Sequence, residues 1–125
     1  MTRRSLKDAA IEFLTLAASG KVSEAYERHV AAGFRHHNPH FRGDAASLKE
    51  AMLANAAQNP HKVFEVQRAL QDGQEVAVFS HVRLKPGDCG VAVVHLFRFE
   101  GERIVELWDL GQPVPDSSVN ENGMF

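Results

Sequence analysis

The chain has 125 residues, 44% of them hydrophobic and 24% charged, which suits one globular domain with a real core and excludes a disordered or collagen-like polymer. Its 14 Lys plus Arg against 16 Asp plus Glu leave a formal charge of -2, so the totals give no electrostatic ground for nucleic acid or an anionic membrane as partner. The single cysteine, Cys89, rules out an internal disulfide, and no apolar run is long enough to span a bilayer; a cytoplasmic location is the expectation.

From Leu6, apolar residues recur at Ala9, Ala10, Phe13, Leu14 and Ala17, the spacing of one helical face. Ser5 with Asp8 three residues on resembles a capping box, and Ser19-Gly20 ends the helix. A second helix is expected over Val22 to Ala31, stopped by Gly33, with Ala25, Tyr26 and Val30 on its buried side. A short strand follows up to His37, then a loop through Asn38-Pro39-His40-Phe41, because proline forces the residue before it out of the helical region. By parity His36 is expected to point away from the pocket and His37 into it, with His40 at the rim.

Asp44 or Ser47 can cap a third helix through Leu48, Ala51, Met52 and Leu53 to about Ala57, and Asn59-Pro60 ends it. Beyond Pro60 the period changes from 3.6 to 2. Lys62 to Leu70 reads as a strand with Phe64, Val66 and Leu70 on one side, and Gln71-Asp72-Gly73-Gln74 turns into another strand over Glu75 to Leu84. Pro86-Gly87-Asp88 then leads into a hairpin, Val91 to Gln112, broken at Glu100-Gly101-Glu102-Arg103. The tail, Pro113 to Phe125, is polar yet closes on Met124-Phe125, an apolar end expected to dock. Helices followed by successive hairpin-connected strands describe an α+β fold, a curved antiparallel sheet with three helices on one face, in a single domain over residues 1–125 with 113–125 as a C-terminal tail.

The hairpin carries the candidate chemistry. Val91, Val93, His95, Phe97 and Phe99 share one face, and Val105, Leu107 and Asp109 share one face of the return strand, opposite Ile104, Glu106 and Trp108. If Arg98 and Glu106 mark the outside, His95 and Asp109 look inward among apolar side chains. A buried His and a buried Asp are costly, since each must find a partner or change its protonation state. Asp109 is the first candidate for a general base or acid, placed among Trp108, Leu107 and Phe97. His37 and Asn38 can hold or polarise a substrate oxygen, and His95 and His81, beside Phe79, are expected to face inward with them. The bland readings are that Asp109 and His37 are hydrogen-bonded structural groups and that Asn38-Pro39 is turn chemistry. Trp108 and the phenylalanines are chiefly core or interface by the same reasoning, and Gln112 either touches a ligand or caps the sheet. The chain holds 7 histidines, and an inward cluster would suit a metal, but their spacing matches no recognised ligand motif and none is expected.

His37-Asn38-Pro39, Gly87-Asp88 leading into Ala92-Val93-Val94, Phe97-Arg98, Ile104-Val105-Glu106, Trp108-Asp109, Gln112-Pro113-Val114-Pro115 and the closing Met124-Phe125 together resemble the SnoaL-like proteins of the nuclear transport factor 2-like superfamily, which includes ketosteroid isomerase. The resemblance runs from about Phe34 to the C-terminus by motif and over the helices by pattern. It implies a cone-shaped α+β roll with a pocket between helices and sheet, a homodimer through the outer sheet face, and a cofactor-independent polyketide-cyclase or aldol-type activity. Where the resembled subgroup has Asp-Ile-Phe-Arg and Glu-His-Trp-Asp, this chain has His95-Leu96-Phe97-Arg98 and Glu106-Leu107-Trp108-Asp109. The ionisable groups of the pocket are therefore rearranged.

The expected function is proton transfer on a carbonyl-bearing substrate, by aldol-type cyclisation or isomerisation, with Asp109, His37 and His95 as catalytic groups and Asn38, Phe79, His81, Phe97, Trp108 and Gln112 around the ligand. A non-catalytic pocket for an apolar small molecule is the second reading and a His-rich metalloenzyme the third. Ala92, Val94 and Leu96, with Val76, Val78 and Val82 as neighbours, are expected to form the apolar strip that a second copy covers.

Overall fold

The computed structural model describes residues 5–125. Helix α1 spans Leu6–Ala18, α2 Val22–His29 and α3 Ala45–Gln58; the strands are β1 Val30–His36, β2 Val63–Asp72, β3 Glu75–Arg83, β4 Val91–Glu100 and β5 Arg103–Pro113. The caps follow from the sequence. The Ser5 hydroxyl accepts from the Asp8 N–H at 3.1 Å, and the Asp44 carboxylate takes both the N–H and the hydroxyl of Ser47, so Asp44 rather than Ser47 starts α3.

The strands form one open, curved sheet in the order β1-β5-β4-β3-β2. All neighbours are antiparallel except β1 with β5, which run parallel. The region from Val30 is strand, not helix end. The β1 register slips between Val30 and Arg35, and Gly33 sits within that irregularity at φ +80°, a conformation that costs glycine little. The residue expected to stop a helix instead lets an edge strand bend.

Two bulges overturn simple alternation. In β2 the register shifts between Val66 and Arg68, so Phe64 and Val66 face inward while Leu70 crosses to the outer side and is 66% exposed. In β5, Ile104 pairs with Phe99 and Glu106 with Arg98, leaving Val105 as the extra residue. Ile104 therefore joins Leu107 inside instead of opposing it, and both are fully buried.

The helices cover the inner face. Phe13 of α1 meets Phe97 edge-on at 6.0 Å and Tyr26 of α2 at 5.5 Å. With Val76, Val78, Phe99, Ile104 and Leu107 these rings form the buried core at one end of the fold. Towards the other end of α1 and along α3 the side chains shrink to Ala17, Ala18 and Ala51, and the space they leave is the cavity. No helix among the described residues is long and apolar enough to cross a membrane.

Candidate functional site

The cavity holds about 290 Å³, the lower end of the range for small-molecule pockets. Its ceiling is Leu14, Leu48, Ala51 and Met52 with the alanines of α1, and its floor is the inner face of the sheet at Phe64, Val82, Val93, His95 and Asp109. Asn38 and Phe41 close one side, Lys62 and Asn55 the other. Among the described residues, its polar lining is Asn38, Asn55, Lys62, His95 and Asp109 in an otherwise hydrophobic wall.

His95 of β4 and Asp109 of β5 are directly opposed in the ladder, so the antiparallel register alone brings them together. His95 Nε2 lies 3.8 Å from Asp109 Oδ1, close enough for attraction and too far for a hydrogen bond. Asn38 Nδ2 donates to Asp109 Oδ2 at 3.0 Å, and Asn38 Oδ1 accepts from the His40 N–H at 3.0 Å, which fixes which end of the amide faces the carboxylate. One carboxylate oxygen is thereby held and the other left for a ligand. His95 Nδ1 is buried without a partner. Burial holds the His95 imidazole below the usual histidine range, partly offset by the Asp109 charge.

The loop that delivers Asn38 is anchored by His36. Its ring is buried on the inner side of β1, where Nδ1 accepts from the Asn38 N–H at 3.1 Å and Nε2 donates to the Arg42 carbonyl at 2.6 Å. This reverses the expected parity of the two histidines. Phe34 and His36 are the buried positions of β1, and the alternation from Phe34, a residue that belongs in a core, is the signal that could have found it.

His37 points the other way, onto the outer face. Its Nε2 lies 2.6 Å from Glu106 Oε2 and its ring stacks on Trp108 at 4.8 Å and 9°. Arg35 and Arg98 complete the surroundings of Glu106, donating at 2.9 Å and 3.1 Å. The Arg35 guanidinium foremost, with His37 beside it, holds the Glu106 carboxyl down at about 2. His37 is therefore not a pocket residue.

Four of the expected ligand contacts also move. Phe79, His81, Trp108 and Gln112 stand on the outer face, opposite Val94, Ala92, Leu96 and Ala92 in their ladders. His81 bonds the Cys89 carbonyl at 2.7 Å and stacks on Phe125 at 4.2 Å, with Phe79 alongside at 5.5 Å. The apolar C-terminus does dock, on the back of the sheet. Phe97 faces inward but is spent on the core against Phe13 and does not line the cavity. Val76 and Val78 are fully buried inside and Val82 lines the cavity, so none flanks the outer strip; Ala77, Phe79 and His81 do. With His37 and His81 outside, the inward histidine cluster required by the metal reading is not assembled.

Lys62 and Asn55 escaped the sequence reading. Lys62 stands just before β2, where a lysine passes as a solvated surface group, and only the fold of α3 over the sheet brings it to the cavity, with its ammonium donating to Asn55 Oδ1.

The sequence model of the SnoaL-like domain matches residues 10–107, ending two positions before Asp109. No curated protein matches the chain. Among solved structures, an NTF2-like protein of unknown function from Cytophaga hutchinsonii aligns with 17% identity over 90% of this chain and 94% of its own, TM-score 0.65. A protein from Acidithiobacillus ferrooxidans, provisionally labelled a polyketide cyclase, aligns with 20% identity over 90% and 92%, TM-score 0.64. AclR from Streptomyces galilaeus, provisionally labelled a hydroxylase, gives 18% identity over 86% and 88%, TM-score 0.72. At such identities these likenesses establish the fold alone, while the domain match covers most of the chain. The chain belongs to the SnoaL-like family and has the NTF2-like fold.

Proposed function

We propose that the protein is a cofactor-independent enzyme that moves a proton on a carbonyl-bearing small molecule. The observation that carries this reading is Asp109, with one carboxylate oxygen held by Asn38 and the other facing a largely apolar cavity beside the buried His95. In the proposed step Asp109 Oδ1 removes a proton from the carbon next to the carbonyl. His95 Nε2 is positioned to donate to the oxygen where enolate charge develops, and the apolar walls keep water from competing. The proton returns from Asp109 to the same substrate at another carbon for an isomerisation, or to a new alkoxide for an aldol closure. The provisional cyclase label of one structural neighbour accords with this chemistry.

Deuterium uptake from D2O at the methyl group beside the ketone of methyl 4-acetylbenzoate, followed by NMR, tests it. The wild type is expected to accelerate uptake, and Asp109→Asn to lower the acceleration by about 100-fold or more, the usual contribution of a positioned base. Uptake undiminished in Asp109→Asn removes Asp109 from the chemistry. Binding of the ketone without any acceleration favours a non-catalytic pocket.

We also propose a homodimer through the outer sheet face. Val94 and Leu110 are direct neighbours across the β4/β5 ladder, 37% and 66% exposed, and Phe79, Leu96, Trp108 and Phe125 extend the strip. A continuous apolar surface of this kind is costly to leave in water, and a two-fold interface, in which the same patch of both copies meets itself, would cover it.

A further inference from the structure

We propose that the substrate is an elongated carbonyl compound carrying a carboxylate, which Lys62 and Asn55 hold at the end of the cavity remote from Asp109. The inference rests on the proton-transfer reading of Asp109 and adds the class of molecule on which it acts.

The polar lining is divided between two ends. Asp109, His95 and Asn38 come from β5, β4 and the segment after β1; Lys62 precedes β2 and Asn55 is on α3. In the sheet order β1-β5-β4-β3-β2, the strand of Asp109 and the strand of Lys62 are separated by three steps. At about 4.8 Å per step this is roughly 14 Å along a flat sheet, and less across a curved one. Val93, Val82 and Phe64 occupy the interval, under Leu48, Ala51 and Met52. A ligand that satisfies both ends is therefore polar at its extremities and apolar in the middle. At about 290 Å³ the cavity is at the small end of ligand pockets and suits a molecule of one ring and a short chain.

The charge of the remote end is specified by what Lys62 lacks. It is the one Lys or Arg among the described residues that line the cavity, and its bonded partner is the neutral Asn55 amide. No carboxylate among the described residues pairs with it. Burial also pulls its ammonium below the usual lysine range, so the charge is carried at a cost that an anion in the cavity would relieve. Asp109 does not serve, because its strand lies three steps across the sheet from that of Lys62. A ligand carboxylate supplies the missing charge and accepts from the free ammonium protons, and the same contact sets which carbon of the ligand reaches Asp109.

Calorimetric titration of the protein with 4-acetylbenzoate, whose ketone and carboxylate stand at opposite ends of one ring, and with its neutral methyl ester reads this directly. The wild type is expected to bind the acid at least about tenfold tighter than the ester, or about 1.4 kcal/mol. Lys62→Met is expected to bring acid affinity down to that of the ester, with ester affinity held within about twofold as the sign of an intact pocket, by the tenfold-per-1.4 kcal/mol scale. Lys62→Gln serves the same purpose should the methionine variant fail to fold. Asp109→Asn is expected to keep the acid preference. Equal affinities in the wild type, no binding of either compound, or a preference that survives loss of Lys62 overturns the proposal. Ketone deuteration that depends on Asp109 without an acid preference leaves proton transfer standing and removes the anion site; an acid preference without Asp109-dependent deuteration does the reverse.

Discussion

Replacing His95 by leucine is expected to stabilise the fold while damaging the site. The imidazole is 8% exposed, its Nδ1 has no partner and its Nε2 stops 3.8 Å short of Asp109. A buried polar atom left without a hydrogen bond costs about 1–3 kcal/mol, and leucine has similar bulk with nothing to satisfy. The unfolding free energy should therefore rise by roughly that amount at pH 7.5, and the melting temperature by about 3–5 °C for each kcal/mol. The pH dependence sharpens the test. Burial depresses the His95 pKa in the folded state, so below its ordinary value of 6.5 the unfolded chain takes up the proton more readily and stability falls with acidification. The leucine variant lacks that loss, so its advantage over the wild type should widen from pH 7.5 to 5.5. Urea unfolding followed by fluorescence of Trp108, the chain's one tryptophan, measures both quantities. A variant less stable than wild type, or an advantage that does not grow on acidification, refutes the view that His95 is kept at the expense of the fold. Ketone deuteration should fall in the same variant.

Glu106→Gln removes an acid-sensitive anchor. Because Arg35 and His37 hold the carboxyl near 2 against an ordinary 4.5, its contribution is complete above 4.5 and disappears as pH falls towards 2. The variant should be less stable at neutral pH and show a flatter decline over that window in urea titrations; an unchanged acid slope argues against the cluster. Phe97→Ala opens a void beside Phe13 at the core end and should cost about 3–5 kcal/mol in urea unfolding; a loss below ~1 kcal/mol would mean that this end is not tightly packed. Leu110→Glu places a charge in the outer apolar strip, and light scattering at micromolar concentration should report a dimer for the wild type and a monomer for the variant; a wild-type monomer rejects the interface.

The element order was written in local chemistry. Ser5 and Asp44 announce helix starts, Pro60 marks the change of period, and Gly73 and Gly101 mark the hairpin turns. The facing of His95 and Asp109 also followed from the sequence, since each can be counted from an apolar residue on its own strand. Other positions failed where the ladder is irregular. One extra residue at Val105 or Gln67 reverses the facing of the side chains on one side of it relative to those on the other, so Ile104, before its bulge, and Leu70, after its own, changed sides. The order of His36 and His37 was legible too, since alternation puts His36 on the side of Phe34.

Periodicity and capping determine which segments are helices and strands and, where alternation is unbroken, which side chains share a face. Tertiary structure alone decided which of those faces meet: that His37 spends itself on Glu106, that Phe125 returns to the back of the sheet, and that Lys62 and Asp109 bound one cavity. The reason is physical, because local signals act over a few residues, whereas the register of an edge strand and the tilt of a helix over a curved sheet are set by packing between segments far apart in the chain.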